Sequence, residues 1–204
     1  MQRSSIIRLI ERSVQPGESV WADFGSGDGA FTLALRQLGG PNMELYSVDQ
    51  SDARLDRQRK AFVREFDGSR LHLVHADFKE SLELPQLDGI LMANALHFVR
   101  DHLSFLRTVR GYLKPGGKLL IVEYDIDLGN PFVPYPVSYR MLIDIMQAAG
   151  FTKPELLARV PSRYWTQIYS AFGSGREGGC FAGVEQVGCE AGGCAVGGLR
   201  RRAR

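Results

Sequence analysis

The feature that most constrains this chain is a glycine-rich turn that directly follows a short apolar stretch. Residues 20–30 read Val-Trp-Ala-Asp-Phe-Gly-Ser-Gly-Asp-Gly-Ala, with glycine at every second position from Gly25 to Gly29. Glycine adopts positive backbone angles at little cost and lets a ligand approach bare main chain. An apolar strand, a glycine turn and a helix in this order indicate an open α/β sheet with a ligand site at the turn.

The hydrophobic pattern around this turn alternates between strands and helices and ends in a hairpin. The predicted strands are 19–24, 43–48, 70–76, 88–94, 118–123, 155–160 and 164–172. The predicted helices are 6–14, 30–38, 51–66, 101–113 and 138–149. The short connection 161–163 requires the last two strands to pair antiparallel. We therefore predict an α/β fold: a doubly wound, mostly parallel seven-stranded sheet with helices on both faces and a C-terminal antiparallel hairpin.

The composition changes after residue 172. The chain has 25 Lys and Arg and 23 Asp and Glu, of which five arginines and three glutamates follow residue 172. Residues 1–172 therefore carry equal numbers of basic and acidic side chains, which argues against a nucleic-acid surface. Residues 173–204 are about one-third glycine without periodicity. We predict one domain at 1–172 and a disordered Gly/Cys/Arg-rich tail at 173–204.

The cysteines and the apolar runs bear on the cellular compartment. All three cysteines, Cys180, Cys189 and Cys194, lie in the tail, at spacings unlike a paired zinc site. Residues 1–172 contain no cysteine and therefore no disulfide, so a cytoplasmic location is expected. No run reaches the roughly 20 apolar residues that span a bilayer. Residues 1–12 are too charged for a secretory signal, and an amphipathic helix is favoured there over a mitochondrial presequence.

Polar residues follow the predicted parallel strands, at the edge where ligands bind in such sheets. Asp49 lies 24 residues after Gly25, where a carboxylate can bind the ribose hydroxyls of a nucleoside. Asp23 discriminates between cofactors, because it would repel the pyrophosphate of a dinucleotide but attract the ammonium group of S-adenosylmethionine. The third glycine also comes one residue too early for the dinucleotide fingerprint. The sequence therefore favours S-adenosylmethionine over a nicotinamide dinucleotide.

Residues 20–172 resemble the class I (Rossmann-like) S-adenosylmethionine-dependent methyltransferases, whose loop is an acidic residue followed by Gly-x-Gly-x-Gly. The run 94–99, Asn-Ala-Leu-His-Phe-Val, and the run 113–118, Leu-Lys-Pro-Gly-Gly-Lys, resemble the small-molecule and quinone-type branch. The resemblance implies S-adenosyl-L-methionine as cofactor, with Asp77 and Phe78 at the adenine. The implied cofactor-binding residues are Asp23, Gly25, Gly27, Gly29, Asp49, Asp77, Phe78 and Asn94.

The sequence also suggests residues that bind or activate the methyl acceptor. His97 is a candidate catalytic general base, with a packed or hydrogen-bonded helper as the alternative. The candidate substrate-binding residues, at positions where the family varies its specificity, are Tyr124, Asp125, Tyr135 and Tyr139. The predicted reaction is methyl transfer by direct displacement to a small molecule, and it requires no metal.

Other functions stay open at this stage. One is a non-catalytic S-adenosylmethionine-binding protein on the same fold, and a less favoured one is an NAD(P)-dependent oxidoreductase. The run 130–135, Asn-Pro-Phe-Val-Pro-Tyr, is similar to the base-holding motif of DNA amino methyltransferases, but it follows strand five rather than strand four. We therefore expect a small-molecule partner, no nucleic acid and no membrane span. The sequence does not determine the oligomeric state.

Overall fold

The computed structural model describes residues 1–162 and 167–176. The α-helices in these ranges are α1 (Arg3–Ile10), α2 (Ala30–Gly39), α3 (Asp52–Phe62), α4 (His102–Gly111) and α5 (Tyr139–Ala148). The strands are β1 (Val20–Phe24), β2 (Glu44–Asp49), β3 (Leu71–His75), β4 (Leu87–Ala93), β5 (Leu113–Tyr124), β6 (Glu155–Pro161) and β7 (Gln167–Ser174). Short 3₁₀ turns occur at Gly68–Arg70 and Leu96–Phe98.

All seven strands belong to one sheet with the order β3-β2-β1-β4-β5-β7-β6. Strands β1 to β5 pair in parallel, whereas β7 runs antiparallel to both β5 and β6. The strand order reverses between β1 and β4, which is where ligands bind in open α/β sheets. The predicted doubly wound, mostly parallel sheet with an antiparallel C-terminal hairpin is confirmed.

Apolar residues bury the sheet on both faces. Consecutive residues of β4, Ile90, Leu91 and Met92, are fully buried, as expected for a central parallel strand covered on both sides. Helices α1 and α2 pack together against one face, with Leu9 and Ile10 of α1 in that core. Helices α4 and α5 pack together in the core of the other face.

The predicted strand that differs most from the structure is the fifth. Strand β5 begins at Leu113 rather than at 118, because Leu113 pairs with Leu87 and Lys118 pairs with Gly89. The Lys-Pro-Gly-Gly run is therefore an irregular excursion within the strand, and Gly116 has a φ of 75° there. Strand β7 continues to Ser174, two residues beyond the predicted end at 172.

Some predictions concern residues outside the described ranges. Residues 164–166 of the predicted last strand are among these, as are all three cysteines and residues 177–204 of the predicted tail. Within the described ranges, no helix is both long and apolar enough to cross a membrane.

Candidate functional site

The glycine turn joins the end of β1 to the start of α2 in a backbone conformation that requires glycine. Gly25, Gly27 and Gly29 have φ values of 74°, 57° and 84°. A Cβ atom on Gly25 would lie 2.8 Å from the Cβ of Ala95. A Cβ atom on Gly29 would lie 2.3 Å from the Cγ of Gln58. Both positions therefore need glycine for their backbone angles and for their close neighbours.

A cleft of about 310 Å³, hereafter the first cleft, lies at the carboxyl ends of the strands on both sides of the switch point. Five predicted cofactor-binding residues line it, namely Gly25, Asp49, Asp77, Phe78 and Asn94. Its walls also include residues to which the sequence analysis gave no role: Gln50, Ser51, Arg54, Ala76, Lys79, Ala95 and Phe98. Each of these seven residues lies within five positions of Asp49, Asp77 or Asn94 in the sequence, and that proximity is the signal by which they could have been found.

Asp49 is held by the main chain at the rim of the first cleft. Its side chain is 5% exposed. Its Oδ2 accepts a hydrogen bond from Gly27 N at 2.9 Å, and its Oδ1 accepts one from Ser51 N at 2.9 Å. A carboxylate has about four acceptor positions, so each oxygen keeps capacity for a ligand hydroxyl. Asp49 thus fixes the loop through Gly27 and still offers acceptors to the cleft.

Asp23 lies in β1, two residues before Gly25, and is 1% exposed; it is not among the residues that line the first cleft. Its Oδ2 accepts a hydrogen bond from the Thr32 hydroxyl at 2.6 Å, whereas its Oδ1 has no partner among the described residues. Burial raises the pKa of Asp23 to about 7, against the lowering effect of the Thr32 hydrogen bond, and the nearby Asp49 carboxylate raises it further. A buried carboxyl group with one free oxygen is stabilised in its charged form by a cation.

Asp77 and Phe78 follow β3 and line the first cleft together. Asp77 Oδ1 accepts a hydrogen bond from Lys79 N at 3.0 Å, and its Oδ2 lies 3.2 Å from Lys79 Nζ. The Phe78 ring also belongs to the core, with ring centroids 6.4 Å from Phe24 and 5.8 Å from Phe105. Phe78 therefore combines core packing with a face on the cleft.

Asn94, at the end of β4, lies where two clefts meet. It has a φ of 51°, a sparsely populated angle for a residue other than glycine, and such outliers cluster at functional sites. Its Oδ1 is buried without a partner among the described residues. Asn94 lines the first cleft and also a second cleft of about 600 Å³. The other walls of the second cleft are Met1, Gln2, Ser5, Tyr124, Pro161, Ser162 and Ile168.

His97 is a buried residue paired with a buried carboxylate. It is 3% exposed, and its Nδ1 lies 2.7 Å from Oε2 of Glu123, which is fully buried. The other carboxylate oxygen, Oε1, accepts a hydrogen bond from His97 N at 3.2 Å. The residues that line the two clefts do not include His97. A catalytic role for His97 stays a prediction.

The four predicted substrate residues do not form one wall. Tyr124 lines the second cleft. Asp125 instead accepts hydrogen bonds from Tyr139 N at 2.9 Å and from Arg159 Nη2 at 3.1 Å. The Tyr139 hydroxyl donates to Pro154 O at 3.0 Å, so Asp125 and Tyr139 together connect α5 to the hairpin. Tyr135 is 39% exposed, and its N donates to His97 O.

The run 130–135 forms a turn in the loop before α5. The Asn130 side-chain oxygen accepts hydrogen bonds from Phe132 N at 2.9 Å and from Val133 N at 3.1 Å. Phe132 is 78% exposed at the tip. Asn130 thus uses its side-chain acceptor to close its own turn.

Known proteins with similar sequences include a methyltransferase family and curated relatives. A family model described as a methyltransferase domain matches residues 22–119. The chain is 31% identical over 122 residues to the ubiquinone/menaquinone biosynthesis C-methyltransferase UbiE of Ectopseudomonas mendocina, which covers 59% of this chain and 46% of that protein. It is 27% identical over 160 residues to the carboxy-S-adenosyl-L-methionine synthase of Erwinia tasmaniensis, which covers 75% of this chain and 62% of that protein. The chain thus spans between about half and three fifths of the length of these curated relatives.

Solved structures show the same fold. The Burkholderia thailandensis 1,6-didemethyltoxoflavin-N1-methyltransferase, solved with 1,6-didemethyltoxoflavin and S-adenosylhomocysteine bound, superposes with a TM-score of 0.68 at 20% identity. The match covers 86% of this chain and 78% of that chain. With the family model and the sequence relatives, it confirms the resemblance that the sequence predicts, and the predicted cofactor agrees with that resemblance.

Proposed function

Because this chain has the fold and the glycine loop of the class I S-adenosylmethionine-dependent methyltransferases, we propose that it transfers a methyl group from S-adenosylmethionine to a small molecule. The observation that carries the proposal is the first cleft, where five predicted cofactor residues meet beside the glycine turn. Two buried oxygens, Oδ1 of Asn94 in the cleft wall and Oδ1 of Asp23 in β1, lack partners among the described residues. Such oxygens suit a ligand that brings hydrogen-bond donors, and the methionine end of S-adenosylmethionine carries an ammonium group.

The remaining cofactor residues are assigned along the cleft. Asp49 binds the ribose hydroxyls with the acceptor capacity that its two backbone hydrogen bonds leave free. Asp77 binds the adenine amino group, and the exposed face of Phe78 packs on the adenine ring. Gly25 presents bare main chain in the wall of the first cleft, against which the cofactor lies; a Cβ atom there would also meet Ala95 and Phe78.

The acceptor occupies the second cleft, next to Asn94 and Tyr124. This position supports the proposal because the two clefts share Asn94, so donor and acceptor meet at the end of β4. Among the side chains that line the second cleft, only the phenol of Tyr124 is ionisable; the amine of Met1 belongs to the main chain. An uncharged or weakly polar small molecule therefore fits its chemistry better than a multiply charged one.

The protein contributes alignment rather than covalent chemistry. S-adenosylmethionine supplies an electrophilic methyl group on its sulfonium centre. The two clefts, which share Asn94, hold the acceptor in line with that group. His97, if it acts as the general base, does so as a buried imidazole oriented by Glu123 through the 2.7 Å contact at Nδ1.

Calorimetric titration of the purified protein with S-adenosylmethionine and with NAD tests the proposal. We expect binding of S-adenosylmethionine with a stoichiometry of one and no binding of NAD. Binding of NAD without binding of S-adenosylmethionine contradicts the proposal. Release of S-adenosylhomocysteine with a panel of uncharged acceptors then distinguishes an enzyme from a protein that only binds the donor.

A further inference from the structure

A row of buried polar side chains lies beneath the glycine turn and connects β1, β2, α2 and α3. Thr32 of α2, Ser47 of β2 and Gln58 of α3 are each fully buried. Ser47 lies opposite Asp23 in the parallel pairing of β1 and β2. Polar groups so deeply buried are stable only when they are hydrogen-bonded to one another, which makes their partners informative.

The hydrogen bonds between these side chains connect Ser26 in the glycine turn to Asp23. The Ser26 hydroxyl donates to Gln58 Oε1 at 3.2 Å, and Gln58 Nε2 donates to Ser47 Oγ at 2.6 Å. The Ser47 hydroxyl lies 3.4 Å from Thr32 Oγ1, and the Thr32 hydroxyl donates to Asp23 Oδ2 at 2.6 Å. Because the Thr32 proton goes to Asp23, Ser47 is the donor in its contact with Thr32. Its hydroxyl also donates to Gln58 Oε1 at 3.0 Å, so Ser47 shares one proton between two acceptors and joins the amide to Thr32.

The third glycine of the turn has a specific function in this arrangement. Gly29 lies directly over the Gln58 side chain, where any Cβ atom would collide with Gln58 Cγ and Cδ. The residues that line the first cleft include neither Gly29 nor Gln58. The absence of a side chain at position 29 thus makes room for the buried amide rather than for the cofactor.

We propose that Gln58, Ser47 and Thr32 form a positioning relay that fixes Ser26 of the glycine turn and orients the Asp23 carboxylate for the cationic methionine end of the donor. This inference rests on the proposed function. Thr32 occupies Oδ2 of Asp23 and leaves Oδ1 without a partner among the described residues. The relay therefore sets which carboxylate oxygen is available to the donor, and it does so without touching the donor.

The test compares two ligands that share the adenosine and the methylated sulfur. They differ in the methionine end and in the positive charge on sulfur, both of which only S-adenosylmethionine has. S-adenosylmethionine carries the ammonium group, whereas 5′-methylthioadenosine keeps the adenosine and lacks the amino acid. In the full chain, Thr32→Val removes the hydroxyl at nearly constant shape. At pH 7.5 we expect the dissociation constant for S-adenosylmethionine to rise about tenfold and that for 5′-methylthioadenosine to change less than about twofold.

A second readout separates positioning from simple loss of structure. The Thr32 hydrogen bond lowers the pKa of Asp23, so its removal raises that pKa. The pH midpoint of S-adenosylmethionine binding then moves upward in Thr32→Val. Thr32→Ser, which restores the hydroxyl, returns both the affinity and the midpoint close to those of the unmodified protein. Thr108→Val, at an exposed threonine of α4, is the matched control and changes neither.

Ser47→Ala interrupts the relay one step earlier and provides a milder variant should Thr32→Val fail to fold. We expect a rise of about threefold in the dissociation constant for S-adenosylmethionine, again without an equal change for 5′-methylthioadenosine. Equal weakening of both ligands, or unchanged affinity and midpoint in the folded variants, overturns the relay. Failure of the unmodified protein to bind either ligand instead overturns the proposed function, so the two failures are distinguishable.

Discussion

The predicted donor residues Asp23 and Asn94 use their polar atoms differently from the predicted substrate residues Asp125 and Tyr139. On the side of β1 to β4, Asp23 and Asn94 each keep a buried oxygen without a partner among the described residues. On the side of β5 to β7, Asp125 and Tyr139 are bonded to the protein itself, and the one unpartnered buried oxygen among the described residues of these strands is the hydroxyl of Ser170. Buried polar atoms are costly without partners, so unpartnered oxygens indicate capacity reserved for a ligand. Polar atoms that already have hydrogen-bond partners within the protein indicate a structural role.

This difference gives the two sides different expected responses to mutation. Changes on the β1–β4 side should alter ligand affinity and can even stabilise the free protein, because a reserved group lowers its stability. Changes on the β5–β7 side should lower stability and leave donor affinity alone. Three substitutions test the comparison, from the largest expected effect to the smallest.

The largest effect is expected for Asp23→Asn in the absence of ligand. Asp23 has its pKa raised from 3.8 to about 7 by burial, so the folded state resists its ionisation. The wild-type protein therefore loses stability as the pH rises from about 4 to about 7, and asparagine avoids that loss. At pH 8 we expect the variant to have a free energy of unfolding higher by roughly 2–4 kcal/mol, with the gap shrinking toward pH 4.

Urea denaturation of both proteins at pH 4.5 and pH 8 measures this gap. Asp125→Asn is the matched control, because its carboxylate is partnered by Tyr139 N and Arg159 and should gain nothing at pH 8. A variant Asp23→Asn that is less stable than wild type at pH 8 would contradict the view of Asp23 as a reserved group. The same variant should bind S-adenosylmethionine more weakly, since it cannot carry the negative charge.

The next effect concerns affinity and compares two aspartates at equivalent strand ends. Asp49→Ala removes the acceptors assigned to the ribose, and we expect donor affinity to fall roughly 10–100-fold, or about 1.5–3 kcal/mol. Asp125→Ala should leave donor affinity within about twofold while lowering stability, because Tyr139 N and Arg159 lose their partner. Calorimetry with S-adenosylmethionine measures both. Unchanged affinity in Asp49→Ala removes Asp49 from the site.

The same contrast explains what the sequence predicts well. The glycine turn lies between a strand and a helix that are adjacent in the chain, so local geometry places Gly25 at the end of β1. Asp49 reaches the same edge because β2 pairs in parallel with β1. Parallel strands also end at a common edge, which brings in Asp77 and Asn94 without knowledge of side-chain contacts. Five predicted cofactor residues consequently line one cleft.

The other side depends on contacts that no local pattern encodes. Whether Asp125 faces a ligand depends on Arg159, 34 residues away on the hairpin, and on the start of α5. The pairing of His97 with Glu123 across 26 residues is equally invisible in the sequence. The buried relay shows the same limit: Ser47 and Gln58 read as an ordinary strand residue and helix residue, and only the packing of α3 under Gly29 brings them together.

The smallest effect tests the structural assignment of Tyr139. Its hydroxyl donates to Pro154 O at 3.0 Å, and its ring packs edge-on against Tyr169 with the Arg159 guanidinium over its face. Tyr139→Phe removes the hydrogen bond and keeps the ring, so we expect a loss of about 0.5–1.5 kcal/mol in unfolding free energy. Denaturant unfolding measures this loss, and titration with S-adenosylmethionine should show unchanged affinity. If Tyr139→Phe instead weakened the donor tenfold at unchanged stability, the β5–β7 side would hold reserved groups as well. The assignment of donor binding to the β1–β4 side and of structural roles to Asp125 and Tyr139 would then be wrong.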